Sequence, residues 1–425
     1  MTGIFKLRNL AIVAGIIILL GVAFLFWVGG RNNIAKPQPL ESYNASAEAG
    51  RYLAVAGNCQ TCHTAPGGAA FAGGLRFETP FGTMYSTNIS QDEATGIGSW
   101  SFEDFHKAMR VGVRPDGAHL YPAFPYPSFA KLTDEDIASL YLYMKTLEPV
   151  PADAPANALN FPFNMRFLLS FWNAFHLDKS VFQADASQSE QWNRGAYLIQ
   201  GLGHCGACHT PRNGMGAEIA DLALTGGVNI DKVKTGEYRK WSSPNLTPHP
   251  TGLASWGEED IVAYLKTGHS ERAVTHGPMN EVVMNSTRYM SDEDLQAMAA
   301  YLKGAPAKAQ DRGPAADQQT MGLGETGFTV HCGTCHLPTG LGAPDLGAPL
   351  AGNAVVQAPD PATMINVILY GPDLPEPPFV SGRRRMDPFG DKLSDEEIAD
   401  IASYVRATWG NDAGRVTPEQ VAKQR

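Results

Sequence analysis

The stretch Cys59-Gln60-Thr61-Cys62-His63 recurs as Cys205-Gly206-Ala207-Cys208-His209 and as Cys332-Gly333-Thr334-Cys335-His336. Two cysteines separated by two residues and followed at once by a histidine form the attachment sequence for covalent haem, in which the histidine ligates the iron. All six cysteines of the chain belong to these motifs. The sequence therefore predicts three covalently bound haem c groups and leaves no cysteine for a disulfide.

A zinc half-site, a redox Cys-x-x-Cys pair and chance are the alternatives to haem. A zinc site would gather its four ligands in pairs, whereas these motifs lie 146 and 127 residues apart, counted from Cys59 to Cys205 and from Cys205 to Cys332. Three complete copies favour haem over each alternative. We therefore predict as haem-binding residues Cys59, Cys62, Cys205, Cys208, Cys332 and Cys335, and as iron ligands His63, His209 and His336.

Length and composition agree with three small domains. A chain of 425 residues is long enough for about three domains of typical size. It contains 44 Gly and 30 Pro and is only 18% charged, which suits helical domains with long loops built around haem. The net charge of −10 argues against a nucleic-acid partner.

A second repeat closes each unit. Its three copies are Leu132-Thr133-Asp134-Glu135-Asp136-Ile137, Met290-Ser291-Asp292-Glu293-Asp294-Leu295 and Leu393-Ser394-Asp395-Glu396-Glu397-Ile398. The Thr or Ser of each copy is an N-cap candidate, and the acid three residues later can bond back or complement the helix N-terminus. Apolar residues then recur at i, i+3, i+4 and i+7, which predicts an amphipathic helix. A helix is also predicted before each haem motif, from Ala47 to Gly57 in the first copy.

These repeats predict a mainly α protein of three tandem class I cytochrome c domains with long loops, plus an N-terminal transmembrane helix. The predicted boundaries are 1–30 for a transmembrane signal anchor, 31–46 for a tether, 47–150 for domain 1, 151–190 for a hydrophobic linker, 191–304 for domain 2, 305–320 for a second linker and 321–425 for domain 3.

The N-terminus predicts the compartment. Leu10 to Val28 is a run of 19 residues without a charged side chain, which is close to the length that spans a bilayer. Lys6 and Arg8 precede the run and indicate a cytoplasmic N-terminus. We expect an uncleaved anchor in the bacterial inner membrane, with the haem domains in the periplasm; a long cleaved signal peptide is the alternative.

The linker from Leu159 to Leu177 is apolar on more than one side. Leu168, Phe171, Trp172 and Phe175 form one helical stripe, and other apolar side chains fill the opposite side. Such a segment is either buried between domains or lies at a membrane surface. Burial is the first expectation, and a membrane-dipping or quinone-lining element is the second.

The amphipathic helix that ends each unit is its closing helix. The candidate for the second axial ligand of each haem iron lies shortly before this helix. Met386 lies eight residues before Ser394, and Met279 lies twelve before Ser291. Met290 is the alternative in domain 2, but its register matches Leu132 and Leu393, which are core positions. We predict Met279 and Met386 as iron ligands, since Met/His ligation closes the iron and raises its potential.

Domain 1 departs from this pattern. Nine residues before Thr133 stands Phe124, which cannot ligate iron. His119 is the first candidate for the missing ligand, and Met109 and Met84 are the others. Ligation by two histidines would lower the potential of this haem relative to its neighbours, whereas an open haem would leave room for a ligand.

Six further stretches carry a family resemblance: Phe71-Ala72-Gly73-Gly74-Leu75, Thr79-Pro80-Phe81-Gly82-Thr83, Tyr85-Ser86-Thr87-Asn88-Ile89, Leu120-Tyr121-Pro122-Ala123, the run from Gly203 to Arg212 and the run from Trp256 to Gly268. With the three haem motifs, they resemble the tri-haem cytochrome c subunit of membrane-bound, quinone-dependent dehydrogenases of the acetic-acid-bacterial type. The resemblance covers nearly all of the chain after the anchor.

The resemblance implies an electron-transfer role. In that family a large catalytic subunit, in some cases with a small subunit, oxidises an alcohol, aldehyde or sugar acid, and the cytochrome subunit passes the electrons to ubiquinone. Alcohol-oxidising members usually have methionine where Phe124 stands, and the Phe form resembles subunits of aldehyde-oxidising enzymes. We therefore expect an aldehyde-oxidising partner first and an alcohol-oxidising one second, with no substrate-oxidising centre in this chain.

Two other functions fit the haem motifs. A freestanding membrane-anchored multihaem cytochrome could serve an oxidase or reductase. A haem peroxidase could act at an open haem 1, because Phe124 leaves that iron without an assigned ligand.

Overall fold

The computed structural model describes residues 12–13, 15–16, 19–24, 26–30, 33–233, 236–309, 311–343, 346–374 and 385–425. The described residues between 12 and 30 are helical. Within the described ranges, no helix is both long and apolar enough to cross a membrane. The predicted anchor falls on this stretch, and its residues 11, 14, 17, 18 and 25, with residues 1–10 before them, lie outside the described part.

Domain 1 is a small helical unit with one hairpin. Its elements are α1 (Ala47–Ala56), α2 (Cys59–Cys62), β1 (Arg76–Thr79), β2 (Gly82–Tyr85), α3 (Phe102–Val111), α4 (Tyr126–Phe129) and α5 (Asp134–Met144). The hydrophobic linker follows with β3 (Ala158–Leu159) and α6 (Leu168–His176). β1, β2 and β3 form an antiparallel sheet in that order, so the linker begins by pairing with domain 1.

Domain 2 repeats the helices and has a longer hairpin. Its elements are α7 (Glu190–Tyr197), a π-helical turn (Leu198–Leu202), α8 (Gly206–His209), β4 (Gly227–Lys232), β5 (Tyr238–Ser243), α9 (Glu258–Thr267), α10 (Met279–Asn285) and α11 (Asp292–Gly304).

Domain 3 consists of α12 (Gln318–His331), α13 (Gly333–His336), α14 (Ala362–Tyr370), α15 (Asp395–Ala407) and α16 (Pro418–Ala422). Short 3₁₀ turns lie at Leu40–Ser42, Ala220–Leu222 and Thr287–Tyr289.

In each domain the helix before the haem motif crosses the closing helix at a glycine. A Cβ atom added to Gly50, Gly195 or Gly324 would overlap a backbone carbonyl of the partner helix. It would also lie 2.8, 2.9 and 2.6 Å from the Cβ atoms of Tyr143, Tyr301 and Tyr404, respectively. Only glycine permits this approach of two backbones, so the shared glycine fixes how the two helices cross. The helix predicted before each motif and the predicted closing helix therefore pack against each other in all three domains.

Domains 1 and 2 share a single hydrophobic core. Leu53 and Leu140 of domain 1 belong to the same buried cluster as Leu198 and Leu302 of domain 2. Domain 3 has its own cluster, which includes Phe328, Ile365 and Ile398. The first two haem motifs are therefore held by one packed body, and the third is held by a neighbour docked onto it.

The predicted N-caps are confirmed in all three closing helices. The side chains of Thr133, Ser291 and Ser394 accept hydrogen bonds from the backbone N–H three residues later. The reciprocal bond that completes a capping box forms in domain 3, where Glu397 accepts from the Ser394 N–H at 2.8 Å. In domains 1 and 2 the corresponding carboxylates, Asp136 and Asp294, bond to the other domain instead.

The linker helix α6 has one buried face and one exposed face. Trp172 and Asn173 are buried against domain 1, where the Tyr126 hydroxyl donates to Asn173 Oδ1 at 2.6 Å. Phe167 and Phe175 remain 61% and 60% exposed. The predicted apolar stripe is only partly buried, because Trp172 packs inward and Phe175 is exposed. Burial, the first expectation for this segment, therefore accounts for only part of it.

Candidate haem-binding sites

Each Cys-x-x-Cys-His motif lies on a short helical turn at the end of a longer helix. The turns are α2, α8 and α13, and their cysteines are spaced i, i+3, so both thiols of a motif lie on one side of the turn. All six cysteines are free of disulfides. Burial raises the pKa of the Cys59 and Cys205 thiols to about 12. The unpaired thiols are available for thioether formation with a haem vinyl group.

Each of the three motif histidines makes the same kind of hydrogen bond, from its ring atom Nδ1 to a backbone carbonyl. The Nδ1 atom lies 2.7 Å from the Thr87 carbonyl oxygen in His63, 2.8 Å from that of Pro244 in His209 and 2.8 Å from that of Ala348 in His336. A carbonyl can only accept, so Nδ1 carries the proton and Nε2 keeps the lone pair that binds iron. Burial also lowers the pKa of all three imidazoles, which favours the neutral form needed for ligation.

The residues present therefore fit haem c. In every copy two free thiols adjoin a histidine whose ring is oriented by a backbone carbonyl, with Nε2 left for a metal. Within the described residues there is no cluster of three or more His, Cys, Asp or Glu that would hold a bare metal ion instead.

The two nominated methionines are partly buried beside the cores. Met279 begins α10 and packs against the shared core, and Met386 packs against the core of domain 3. Met290, the rejected alternative, is 3% exposed, and the matching Leu132 and Leu393 are 0% and 7% exposed. All three occupy core positions, as their register suggested. The ligand roles of Met279 and Met386 stay predictions.

His119 lies against the linker. Its backbone carbonyl accepts from Arg166 at 2.8 Å, and its Nδ1 is 3.5 Å from the side-chain amide of Asn173 on α6. Phe124 packs against both the shared core and the smaller cluster beneath α6. Met84 and Met109 are buried, at 8% and 6% exposed. The ligand role of His119 stays a prediction, as do those of the two methionines.

The first and second motifs are neighbours in space. The Asn285 amide at the end of α10 donates to the Thr61 hydroxyl, inside the first motif, at 3.0 Å. His204, which precedes the second motif, places Nε2 3.3 Å from the Gly57 carbonyl, just before the first. The two haem-binding turns are thus linked directly, and His204 contributes one of the contacts between them.

Two reciprocal hydrogen bonds, each from a tyrosine of one domain to an aspartate of the other, hold domains 1 and 2 together. This pair of bonds is the tyrosine exchange. Tyr52 on α1 donates its hydroxyl to Asp294 at 2.6 Å, and Tyr197 on α7 donates to Asp136. The same hydroxyl oxygens accept from the N–H groups of Ser291 and Thr133, at 3.2 and 3.1 Å. Each tyrosine follows the helix-crossing glycine by two residues, and domain 3 has Thr326 at that place. The repeat Gly-x-Tyr-Leu was the available signal in the sequence.

Domain 3 docks on the β4–β5 hairpin and on the methionine loop of domain 2. The Thr363 hydroxyl accepts from the Ser242 N–H at 2.7 Å and donates to the Ser242 carbonyl at 2.8 Å. The Asp373 carbonyl accepts from the Gly277 N–H at 3.0 Å and from the Asn280 side chain at 2.6 Å. Domain 3 therefore bonds to the residues on either side of Met279.

Comparison with protein families and curated proteins agrees with this geometry. The family model described as Cytochrome c matches residues 47–148 and 193–306, and the one described as Cytochrome C oxidase, cbb3-type, subunit III, matches residues 319–405. The fold and the motifs thus define a cytochrome c with covalently attached haem.

Three curated relatives show which group of cytochromes c this chain is similar to. The chain is 40% identical over 390 residues to the cytochrome c subunit of the quinone alcohol dehydrogenase of Gluconobacter oxydans, covering 88% of this chain and 81% of that protein. It is 38% identical over 403 residues to the gluconate 2-dehydrogenase cytochrome c subunit of Pantoea cypripedii, covering 91% and 90%. It is 42% identical over 385 residues to a subunit of the nicotinate dehydrogenase of Pseudomonas putida, covering 88% of this chain but only 31% of that protein.

The chain belongs to the family of cytochrome c subunits of quinone-dependent dehydrogenases. Its members are electron-transfer subunits, so a catalytic dehydrogenase is the partner this family implies.

Proposed function

We propose that the chain is the tri-haem c electron-transfer subunit of a membrane-bound periplasmic dehydrogenase and relays electrons from a large catalytic subunit to ubiquinone. The observation that carries this proposal is the threefold haem motif in which each histidine Nδ1 is held by a backbone carbonyl. The relatives named above are cytochrome subunits of dehydrogenases, which supports a catalytic partner.

The residues of the chain have separate tasks in this relay. Haem supplies reversible one-electron chemistry when bound. The cysteines fix its position, and His63, His209 and His336 offer Nε2 to the irons. Under this proposal Met279 and Met386 would supply the second ligands of haems 2 and 3, and His119 would supply that of haem 1. Methionine ligation raises a haem potential, so haem 1 has the lowest potential of the three under this assignment.

The partner's substrate is proposed to be an aldehyde, with an alcohol as the second choice. Phe124 supports the aldehyde, because it occupies the place of the methionine that is usual in alcohol-oxidising members of the resembling family. A small third subunit is a further candidate partner.

The location is proposed to be the inner membrane, with one N-terminal span and the haem domains in the periplasm. An exposed aromatic surface supports this. Phe161 and Phe163 are 78% and 37% exposed. The ring centroids of Phe24, in the N-terminal helix, and Phe171, in α6, are 5.9 Å apart. Between residues 159 and 177 the only Asp, Glu, Lys or Arg is Arg166. An aromatic, nearly uncharged face beside an apolar helix is typical of the membrane interface.

Affinity purification from detergent-solubilised membranes tests the proposal. The tagged chain is expected to bring down a large dehydrogenase subunit, and the complex is expected to reduce a short-tailed ubiquinone with an aldehyde or alcohol as donor. A chain that purifies without a dehydrogenase would support the freestanding cytochrome, and rapid peroxide turnover by that chain would support the peroxidase. A complex that reduced soluble cytochromes but never a quinone would overturn the relay to ubiquinone.

A further inference from the structure

A short segment of domain 3 contacts both of the loops that carry the nominated methionine ligands. This bridging segment, Gly371-Pro372-Asp373, directly follows α14, which ends at Tyr370. Met386 belongs to the same domain as the segment, whereas Met279 belongs to domain 2. The contacts of the bridging segment with the Met279 loop therefore cross the boundary between the two domains.

The Asp373 carbonyl holds the loop that carries Met279. It accepts from the Gly277 N–H at 3.0 Å and from the Asn280 side-chain amide at 2.6 Å. Asn280 is 8% exposed, so losing this bond would leave a buried amide to be satisfied elsewhere. Gly277 lies two residues before Met279 and Asn280 directly after it. One carbonyl of domain 3 thus holds the backbone on either side of the methionine.

The Met279 loop is also packed against β5. Gly277 has a φ of +58°, and a Cβ atom added to it would lie 2.5 Å from the ring of Trp241. Trp241 is 4% exposed, so this ring has little room to move aside. Glycine alone fits such a left-handed position against a buried ring. The loop therefore has few alternative positions, and the place of the Asp373 carbonyl helps to select among them.

The bridging segment meets the Met386 loop at two places. Gly371 has a φ of +75°, and a Cβ atom added to it would lie 2.9 Å from the Met386 carbonyl oxygen. The Pro372 carbonyl accepts from the Arg385 guanidinium at 3.3 Å. The carbonyls of Pro372 and Asp373, which are consecutive, are therefore bonded to the two different methionine loops.

Helix α14 fixes the bridging segment in place. Besides the bonds between Thr363 and Ser242, the Asn366 amide donates to the Lys240 carbonyl of β5 at 2.8 Å. Thr363 lies eight residues before Gly371, which corresponds to about 12 Å along a helix. The contacts of Thr363 therefore dock domain 3 without touching either methionine loop.

We propose that the bridging segment positions both methionine sulfurs, so that domain 3 sets the strength of methionine ligation in domain 2 as well as in its own haem site. The inference rests on the ligand assignment made in the proposed function. Methionine ligation raises a haem potential, so a change in the segment should alter two potentials together. Gly371 and Asn280 are positioning residues, because they act through Met386 and Met279.

Gly371→Ala tests the joint control. Redox titration of the purified complex, followed by EPR and by the red absorption band of methionine-ligated ferric haem, measures each potential. The variant should lower two of the three potentials and weaken the band. Gly410→Ala is the matched control, because Gly410 has a φ of +82° but nothing within 4 Å of an added Cβ. It should leave every potential unchanged. A Gly371→Ala protein that keeps three haems at wild-type potentials would overturn the proposal.

Asn280→Ala tests the domain 2 side and does not depend on the folding of Gly371→Ala. It should lower one potential, because only the Met279 loop loses a bond. Thr363→Ala is its control, since it removes hydrogen bonds between the same two domains away from the loop. It should leave all potentials unchanged. No shift in Asn280→Ala, or equal shifts in both variants, would overturn the positioning role.

A double variant shows whether Asn280 acts through the methionine. Met279→Leu should lower one potential, and adding Asn280→Ala should lower it no further, because the sulfur is already absent. A full additional shift would overturn the inference. The potentials are measured without substrate or quinone, so the expected shifts in a complex that never reduces a quinone would support the inference and overturn the proposed function.

Discussion

The hydroxyl of Tyr52 in domain 1 donates to the Asp294 carboxylate of domain 2 at 2.6 Å. Its counterpart in domain 2, Tyr197, donates to Asp136 of domain 1. Each tyrosine thereby reaches the N-terminus of the other domain's closing helix. Because each closing helix packs on the helix that leads into its own haem motif, the exchange helps to fix how the first and second haem-binding turns lie against each other.

Removing either hydroxyl should weaken the body formed by domains 1 and 2. A hydrogen bond to a charged group contributes roughly 1.5–3 kcal/mol. We expect Tyr197→Phe to cost at least as much as Tyr52→Phe, because Asp294 keeps its ion pair with Arg194 at 2.7 Å when Tyr52 is changed. Urea unfolding curves measure both effects. Tyr289→Phe, whose side chain is 61% exposed, is the control; equal midpoints for all three variants would contradict the role of the exchange.

The Asp294 carboxylate gives the exchange a pH dependence. Burial alone would raise the pKa of Asp294, but hydrogen bonds from Arg194 and Tyr52 bring it below its ordinary value. A carboxyl whose pKa is lower in the folded state stabilises the fold fully above its unfolded pKa, about 3.9, and loses that contribution as the pH falls through the folded value.

Asp294→Asn tests this dependence. The difference in unfolding midpoint between the wild type and Asp294→Asn should be largest near neutral pH and should shrink below about pH 4. Asp292→Asn, on the same helix, is the control. A difference that grew in acid would show that the sign of this account is wrong.

The helix-crossing glycine of domain 3 can be tested within one helix. Gly324 meets the Asp400 carbonyl and the Tyr404 Cβ, whereas Gly322 has nothing within 4 Å of an added Cβ. Gly324→Ala should destabilise domain 3 by about 1–3 kcal/mol or more through overpacking. Gly322→Ala should stabilise α12 by roughly 0.5–1 kcal/mol. Thermal unfolding measures both, and the same sign for the two variants would contradict the crossing geometry.

The choice of Met279 over Met290 predicts different spectra for two similar substitutions. Met279→Leu should remove the sulfur ligand of haem 2 and lower one of the haem potentials. Met290→Leu conserves volume in the core and should cost less than about 1.5 kcal/mol without changing any potential. A potentiometric titration with EPR of the ferric protein distinguishes them. A shift caused by Met290→Leu alone would reverse the assignment.

The local features of the fold could be predicted from the sequence. Thr133, Ser291 and Ser394 were identified as caps because capping depends on residues three positions apart. The core position of Met290 followed from its register with Leu132 and Leu393, since an amphipathic stripe sets burial along one helix. Each of these features depends on neighbours in the chain and is encoded within one turn or two of helix.

The contacts between domains could not be predicted in the same way. Asp136 and Asp294 looked like capping-box acids, and the repeat alone does not show that each bonds to a tyrosine 61 or 242 residues away. The shared core of domains 1 and 2 likewise depends on which faces meet. The linker was ambiguous because Trp172 and Phe175 lie on one stripe, and only packing against Tyr126 separates the buried ring from the exposed one.

The relay is tested most directly by following the haem spectrum of the purified complex during one anaerobic cycle. The partner's substrate is added first, and a short-tailed ubiquinone is added second. The account predicts that the substrate reduces three covalently bound haems and that the quinone then reoxidises them. Haems that stayed oxidised with substrate, or stayed reduced after the quinone was added, would contradict it.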